Sequence, residues 1–116
     1  VLFRSRMDFT PIRLVADGAE VRITSGYTNT TMKKKEIRSV KLLENGLPED
    51  HYNRTNGFSD EKQLLGKFEG KKTGKCRMYV WLDQENVIEI KATDYTVFIN
   101  SKDTDEMNTW YQELLK

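Results

Sequence analysis

The stretch Asp103-Thr104-Asp105-Glu106-Met107-Asn108-Thr109-Trp110-Tyr111-Gln112-Glu113-Leu114-Leu115-Lys116 decides how the rest of the chain is read. Met107, Trp110, Tyr111, Leu114 and Leu115 recur at i, i+3, i+4, i+7 and i+8, which is one apolar stripe of an α-helix. Asp103 supplies a short acceptor for the first orphan amides, and Glu106 three residues later gives the spacing of a capping box. Asp103, Asp105 and Glu106 also place negative charge at the positive end of the helix dipole. A single amphipathic helix must lay its stripe on something apolar. Trp110 is its predicted anchor, because a buried tryptophan covers about 150–250 Å².

What precedes the helix has a different period. From Phe9 to Asn100 apolar residues mostly alternate with polar ones, the pattern of half-buried strands. Ile12 and Leu14 flank Arg13, Asp17-Gly18 marks a tight turn, and Val21 and Ile23 alternate with Arg22 and Thr24. Gly26 to Thr31 reads as polar loop, and Ile37 to Leu43 as a third strand. Glu44 to Gln63 carries Asn45-Gly46, Pro48 and Asn56-Gly57, so it is predicted to be a long loop. Leu64–Glu69, Lys75–Leu82, Val87–Ala92 and Tyr95–Ile99 complete a set of seven strands. The expectation is a mainly β fold: a seven-stranded antiparallel barrel or sandwich capped by the C-terminal helix. Residues 1–8 are set aside as an N-terminal extension, and 9–116 form the domain.

Length and composition bound the chemistry. A polypeptide of 116 residues makes one domain. Nineteen Lys and Arg against 18 Asp and Glu leave a net charge of +1, so no nucleic-acid partner is expected. One cysteine, Cys76, excludes an internal disulfide, and with one histidine, His51, it falls short of a structural zinc site. No metal and no cofactor are expected. No stretch reaches the ~18 apolar residues of a membrane-spanning helix. The sequence opens Val1-Leu2-Phe3-Arg4-Ser5-Arg6, apolar then basic, which fits either a cytoplasmic membrane exit or an appended terminus.

The near-zero net charge hides local blocks. Thr31 to Lys41 carries Lys33, Lys34, Lys35, Arg38 and Lys41 against Glu36, a balance of +4. Lys67 to Arg77 carries Lys67, Lys71, Lys72, Lys75 and Arg77 against Glu69, again +4. Between them, Glu44, Glu49, Asp50, Asp60 and Glu61 against Arg54 give -4. Lys33, Lys34, Lys35, Lys71, Lys72 and Lys75 are therefore candidates for weak attachment to an anionic membrane surface. As a plainer reading, they are solvated charges.

Alternation along Lys75–Leu82 puts Cys76, Met78, Val80 and Leu82 on one face, predicted to be core. Arg77, Tyr79 and Trp81 fall on the other, predicted to face outward as a strip that binds a protein partner. Against this stands a structural role, with Trp81 under a loop or helix edge and Arg77 paired to an acid. Asp50-His51-Tyr52 raises a third possibility, a small enzyme using His51, although the sequence holds no recognised catalytic motif. Cys76 reads as a small hydrophobe.

Seven strands closed by a helix with a central Trp110 resemble the pleckstrin-homology (PH) fold. The motifs Arg54-Thr55-Asn56-Gly57, Leu65-Gly66-Lys67-Phe68 and Gly74-Lys75-Cys76-Arg77-Met78-Tyr79-Val80, with Asn100-Ser101-Lys102-Asp103 before the helix, resemble a bacterial PH-like family. The resemblance assigns Arg54, Asn56, Gly57, Gly66, Phe68 and Trp110 to structure; in the turn expected at Arg54–Gly57, Gly57 is predicted to take positive φ and Arg54 to pin the loop. It implies a non-catalytic interaction or scaffolding module of a membrane-associated bacterial protein, on the cytoplasmic side. The first hairpin loop, Ala16-Asp17-Gly18-Ala19-Glu20, is acidic and departs from the basic loop with which phosphoinositide-binding PH domains hold phosphate.

Overall fold

A computed structural model of the protein describes residues 12–26, 28–59 and 61–116. The proposed extension at residues 1–8 lies outside the described residues. The strands are β1 (Arg13–Ala16), β2 (Glu20–Thr24), β3 (Asn29–Lys33), β4 (Ile37–Leu43), β5 (Tyr52–Ser59), β6 (Gln63–Gly70), β7 (Gly74–Trp81), β8 (Val87–Ala92) and β9 (Thr96–Ile99), followed by helix α1 (Thr104–Leu115). They form a three-stranded sheet, β1-β2-β3, and a six-stranded sheet ordered β4-β8-β9-β7-β6-β5. The two sheets do not close into a barrel; they make a sandwich.

The nine strands among the described residues correct the expected seven. β3 occupies part of the predicted loop Gly26–Thr31, because Thr30 and Met32 point inward while Asn29, Thr31 and Lys33 point out. A threonine at an inward position conceals the alternation from a hydrophobic count. β5 occupies part of the predicted loop Glu44–Gln63. Its Asn53, Arg54, Thr55 and Asn56 are all exposed, so no apolar period marks it. Its pairing to β6 holds it in place.

One pairing departs from the antiparallel expectation. β9 lies between β7 and β8, antiparallel to β8 but parallel to β7. The short link between β7 and β8 thus spans a strand that arrives later in the sequence. β7 and β9 are central in the large sheet, and both of their faces are covered. On the inner face Leu65, Tyr79, Trp81, Ile88, Ile90, Val97 and Ile99 pack against Leu14, Val21, Ile23 and Met32 of the small sheet and Met107, Trp110 and Leu114 of the helix. On the outer face Phe68, Cys76, Met78, Val80, Val87 and Phe98 are covered by Leu43, Leu47, Tyr52 and Leu64. Tyr52 sits edge-on to Phe98, with ring centroids 6.4 Å apart, and its hydroxyl donates to the Pro48 carbonyl at 2.9 Å.

The predicted outward strip therefore has to be corrected. Tyr79 is 0% and Trp81 5% exposed; both lie in the core. The alternation is as read from the sequence, but a central strand has no solvent face, and period two cannot say which side is which. Leu82, predicted to be core, is 43% exposed because it lies one residue beyond β7.

The motif positions also resolve differently. Arg54 to Gly57 is strand, not turn, and the register slips between Arg54 and Asn56 in a β-bulge that leaves Thr55 over. Gly57 has no positive φ; positive φ falls on Gly46, Gly66 and Gly74. Gly57 is instead required by close approach, since a Cβ there would meet the Leu65 carbonyl oxygen at 2.7 Å. Its register partner is Gly66, whose φ of 104° lies in the region that disfavours side chains. Arg54 is exposed, and its side chain pins nothing among the described residues.

The helix begins as predicted, with one change at its cap. Asp103 Oδ1 accepts from the amides of Asp105 at 2.9 Å and Glu106 at 3.3 Å. Glu106 does not return to the Asp103 amide; it accepts from the Ser101 hydroxyl at 2.6 Å, and Ser101 Oγ accepts that amide at 3.0 Å. The stripe is partly as predicted: Met107, Trp110 and Leu114 are buried, but Leu115 is 54% exposed. Replacing Trp110 with Ala is expected to cost about 3–5 kcal/mol in denaturant unfolding. A loss below about 1 kcal/mol would show that the helix does not close the core.

Candidate functional site: a cationic cleft at one end of the sandwich

The only strip member that reaches solvent is Arg77, and the fold fixes it unusually well. It precedes Tyr79 and Trp81 on the inner face of β7, at the margin of the small sheet's cover. Its Nη1 donates to Thr30 Oγ1 at 3.3 Å, and its guanidinium carbon lies 4.2 Å from the centre of the Tyr95 ring. Thr30 is buried and lies 2.6 Å from the Tyr79 hydroxyl. Burial raises the Tyr79 phenol above its ordinary pKa despite the hydrogen bond to Thr30, so it stays protonated at neutral pH. Each sheet thus contributes one partner: Thr30 from the small sheet, Tyr95 from the turn between β8 and β9.

Around Arg77 is a cleft of about 420 Å³, lined chiefly by Thr55, Lys67, Glu69, Lys75, Asp94 and Tyr95. Lys67 faces Arg77 across the β6–β7 ladder, and Glu69 faces Lys75. Thr55 is the residue that the β5 bulge leaves unpaired with β6. Among the described residues, none of Lys67, Lys75, Arg77, Glu69 and Asp94 has an opposite charge within 4.0 Å. Thr30, Thr55, Asp94 and Tyr95 carry no sequence signal of this role. Only the aromatic in a turn and the R-x-N-G motif hint at it.

The two lysine blocks converge on the same end. Lys33 ends β3, while Lys34 and Lys35 form a 3₁₀ turn with Glu36 leading into β4. That turn is tied to the β8–β9 turn by the Thr93 hydroxyl, which donates to the Glu36 carbonyl at 3.3 Å. Lys71, Lys72 and Lys75 lie on or beside the β6–β7 turn. From β4 through β8 and β9 to β7 is three strand spacings, about 14 Å. None of these six lysines forms an ion pair among the described residues. The acids of the first hairpin and of the 3₁₀ turn are held by the backbone or by Arg22. Glu36 accepts from the Lys33 amide at 3.1 Å, and Arg22 lies 3.5 Å from Glu20 and 3.9 Å from Asp17. The first hairpin loop is thus acidic and internally satisfied.

The opposite end carries the reverse balance. Among the described residues of its loops and helix start, Glu44, Glu61, Asp83, Glu85, Asp103, Asp105 and Glu106 outnumber Lys62 and Lys102.

Asp50 and His51 form no acid–base pair. The Asp50 carboxylate accepts from the Lys72 amide at 3.0 Å, the Thr73 amide at 2.8 Å and the His51 backbone amide at 2.7 Å. Burial opposes its ionisation, but these N–H groups and the Thr73 hydroxyl hold it well below the usual carboxylate range. It locks the β6–β7 turn to the segment covering the outer face. His51 is exposed. Cys76 lies buried, and burial pushes its thiol up to about 11, which disfavours the thiolate at neutral pH. No cluster of metal-ligating side chains occurs among the described residues.

Residues 12–114 match the family described as Bacterial PH domain. The protein belongs to that family. No curated protein and no solved structure matches it. PH domains are generally non-catalytic modules, and the open sandwich with its closing helix is this PH domain's version of the fold. No helix among its described residues is long and apolar enough to cross a membrane.

The pH dependence of Asp50 follows from the direction of its shift. A carboxyl with a lowered folded-state pKa stabilises the fold above its unfolded value and loses that contribution as pH falls. Asp50→Asn is therefore expected to lower the melting temperature at pH 7, and the gap to the parent should shrink as pH falls below 3.8. Parallel thermal melts across pH 2–7, with the gap unchanged throughout, would refute this role.

Proposed function

We propose that this PH domain is a non-catalytic interaction module that binds an acidic protein partner through the end of the sandwich carrying Arg77 and the lysines Lys33, Lys34, Lys35, Lys71, Lys72 and Lys75. One observation carries the reading: Arg77 is clamped between Thr30 and Tyr95 beside open space, without a carboxylate in ion-pair range among the described residues. An arginine held this way loses little side-chain freedom when it meets an acidic group, which favours binding. Tyr79 and Trp81 serve beneath the surface: Tyr79 braces Thr30, and Trp81 joins β7 to the helix start. The flanking lysines raise the rate of encounter with an acidic surface more than the final affinity.

A second reading has its own support. Two lysine runs far apart in sequence lie about three strand spacings apart in space. Such a cluster suits weak, headgroup-independent attachment to an anionic membrane, at about 1 kcal/mol per lysine near the surface. On this reading the domain would work at the cytoplasmic face of a membrane-associated protein.

Charge reversal separates the readings. The variant Lys71→Glu/Lys72→Glu/Lys75→Glu should fold as the parent, since all three side chains are exposed. In capture from a lysate of the encoding organism, it should retain its partner about tenfold less well at low salt. The parent should not sediment with phosphatidylcholine–phosphatidylserine vesicles at physiological salt. Strong, salt-sensitive sedimentation that charge reversal abolishes would transfer the function to the membrane. Insensitivity in both assays would overturn both.

A further inference from the structure

The side chains around Arg77 define the group the cleft accepts more narrowly than a basic surface would. We infer that it is a carboxylate pocket, built for one monoanionic carboxylate presented by a peptide, whether from an Asp or Glu residue or from the peptide's free carboxyl end. This rests on the interaction reading above.

Charge balance is the first argument. Lys67, Lys75 and Arg77 supply three positive charges, and Glu69 and Asp94 two negative ones, around about 420 Å³. The net single positive charge matches a monoanion. A phosphate near its dianionic form would set its second charge against Glu69 and Asp94, and repulsion at such range opposes binding.

Shape is the second. The guanidinium is planar, with one nitrogen on Thr30 and one face on Tyr95. Its remaining N–H groups lie in that plane, and a planar carboxylate accepts two of them side by side. Lys67, opposite Arg77 in the ladder, offers a mobile point charge to the same group, and the Thr55 hydroxyl a neutral donor. Tyr95 gives apolar wall to the stem of an Asp or Glu residue. The space falls within the range of small-ligand sites, enough for one side chain and its adjoining backbone.

Construction is the third. Thr55 reaches the cleft from the bulge where β5 breaks register, and bulges re-aim side chains beside functional sites. The pocket's own acids do not fill it, since neither Glu69 nor Asp94 pairs with a cation among the described residues.

The test is a titration of the full ¹⁵N-labelled protein, following the Arg77 Nε–H resonance at 150 mM salt. The probes are acetyl-Ala-Glu-Ala-amide, whose one carboxylate belongs to the glutamate; acetyl-Ala-Ala-Ala with a free carboxyl end; acetyl-Ala-Gln-Ala-amide, which is neutral; and inorganic phosphate. A saturable shift is expected with one or both acidic peptides, and whichever binds identifies the source of the carboxylate. The neutral peptide should not move the resonance, and phosphate should bind more weakly than the better peptide. In Arg77→Gln, followed through the Tyr95 and Thr55 amides, affinity should fall about tenfold or more. Arg77→Lys should restore only part, because lysine lacks the planar fork. Lys67→Ala, at an exposed position that leaves the core intact, should weaken binding several-fold, which keeps the test valid if Arg77→Gln does not fold.

Tighter binding of phosphate, equal shifts with the neutral peptide, shifts spread evenly over Lys33, Lys34 and Lys35, or unchanged affinity in the folded Arg77 and Lys67 variants would each overturn the pocket. If the pocket fails while lysine reversal still abolishes partner capture, only the carboxylate assignment falls. If capture ignores the lysines, the interaction reading falls first.

Discussion

A buried amide, Asn100, ties the end of β9 to β7 at the point where the backbone leaves the large sheet for the helix. It is 0% exposed and lies where β9 ends and the backbone turns toward the helix. Its Oδ1 accepts from the Trp81 amide at 2.6 Å, and its Nδ2 donates to the Trp81 carbonyl at 3.0 Å. Its own amide donates to the Tyr79 carbonyl at 3.1 Å. The side chain thus continues the ladder on β7 for one residue after the backbone has left it. Without it, two backbone groups in the core would lose these bonds, a costly arrangement in a low-dielectric interior. From that fixed point Ser101 and Asp103 cap the helix, and the helix sets Trp110 on the inner face.

The same anchorage reaches the cleft through β7. Tyr79, whose carbonyl receives the Asn100 amide, lends its hydroxyl to Thr30, and Thr30 accepts from Arg77. The position of a half-buried cation is therefore set by buried contacts that both sheets contribute. An arginine on a lone loop would have no such constraint, and its rotamer freedom would oppose binding.

How much of this could be read from residues alone varies by element. The helix was legible because a stripe of five apolar residues at helical spacing has few alternative explanations. β6, β7 and β8 were legible as strands through their alternation and bracketing glycines. β3 and β5 were not, since Thr30 replaces an apolar residue in one and the other shows solvent almost only polar groups. Orientation was harder still. Arg77, Tyr79 and Trp81 do share one face, but whether that face meets water depends on the small sheet and the helix packing over it, a tertiary event that local sequence does not encode. The cleft was partly legible in its cations. Its Thr55, Asp94 and Tyr95 come from segments joined only by strand pairing, and no spacing rule finds them.

The bulge at Arg54–Asn56 has a further consequence at the margin of the large sheet. β5 is an edge strand of eight residues, long enough to template growth by another polypeptide. The bulge breaks the regular spacing of its backbone donors and acceptors midway, and Arg54 adds an exposed charge beside the break. A second copy sliding alongside would find no continuous ladder to extend. At this edge, then, the break works against extension of the sheet by a neighbouring strand.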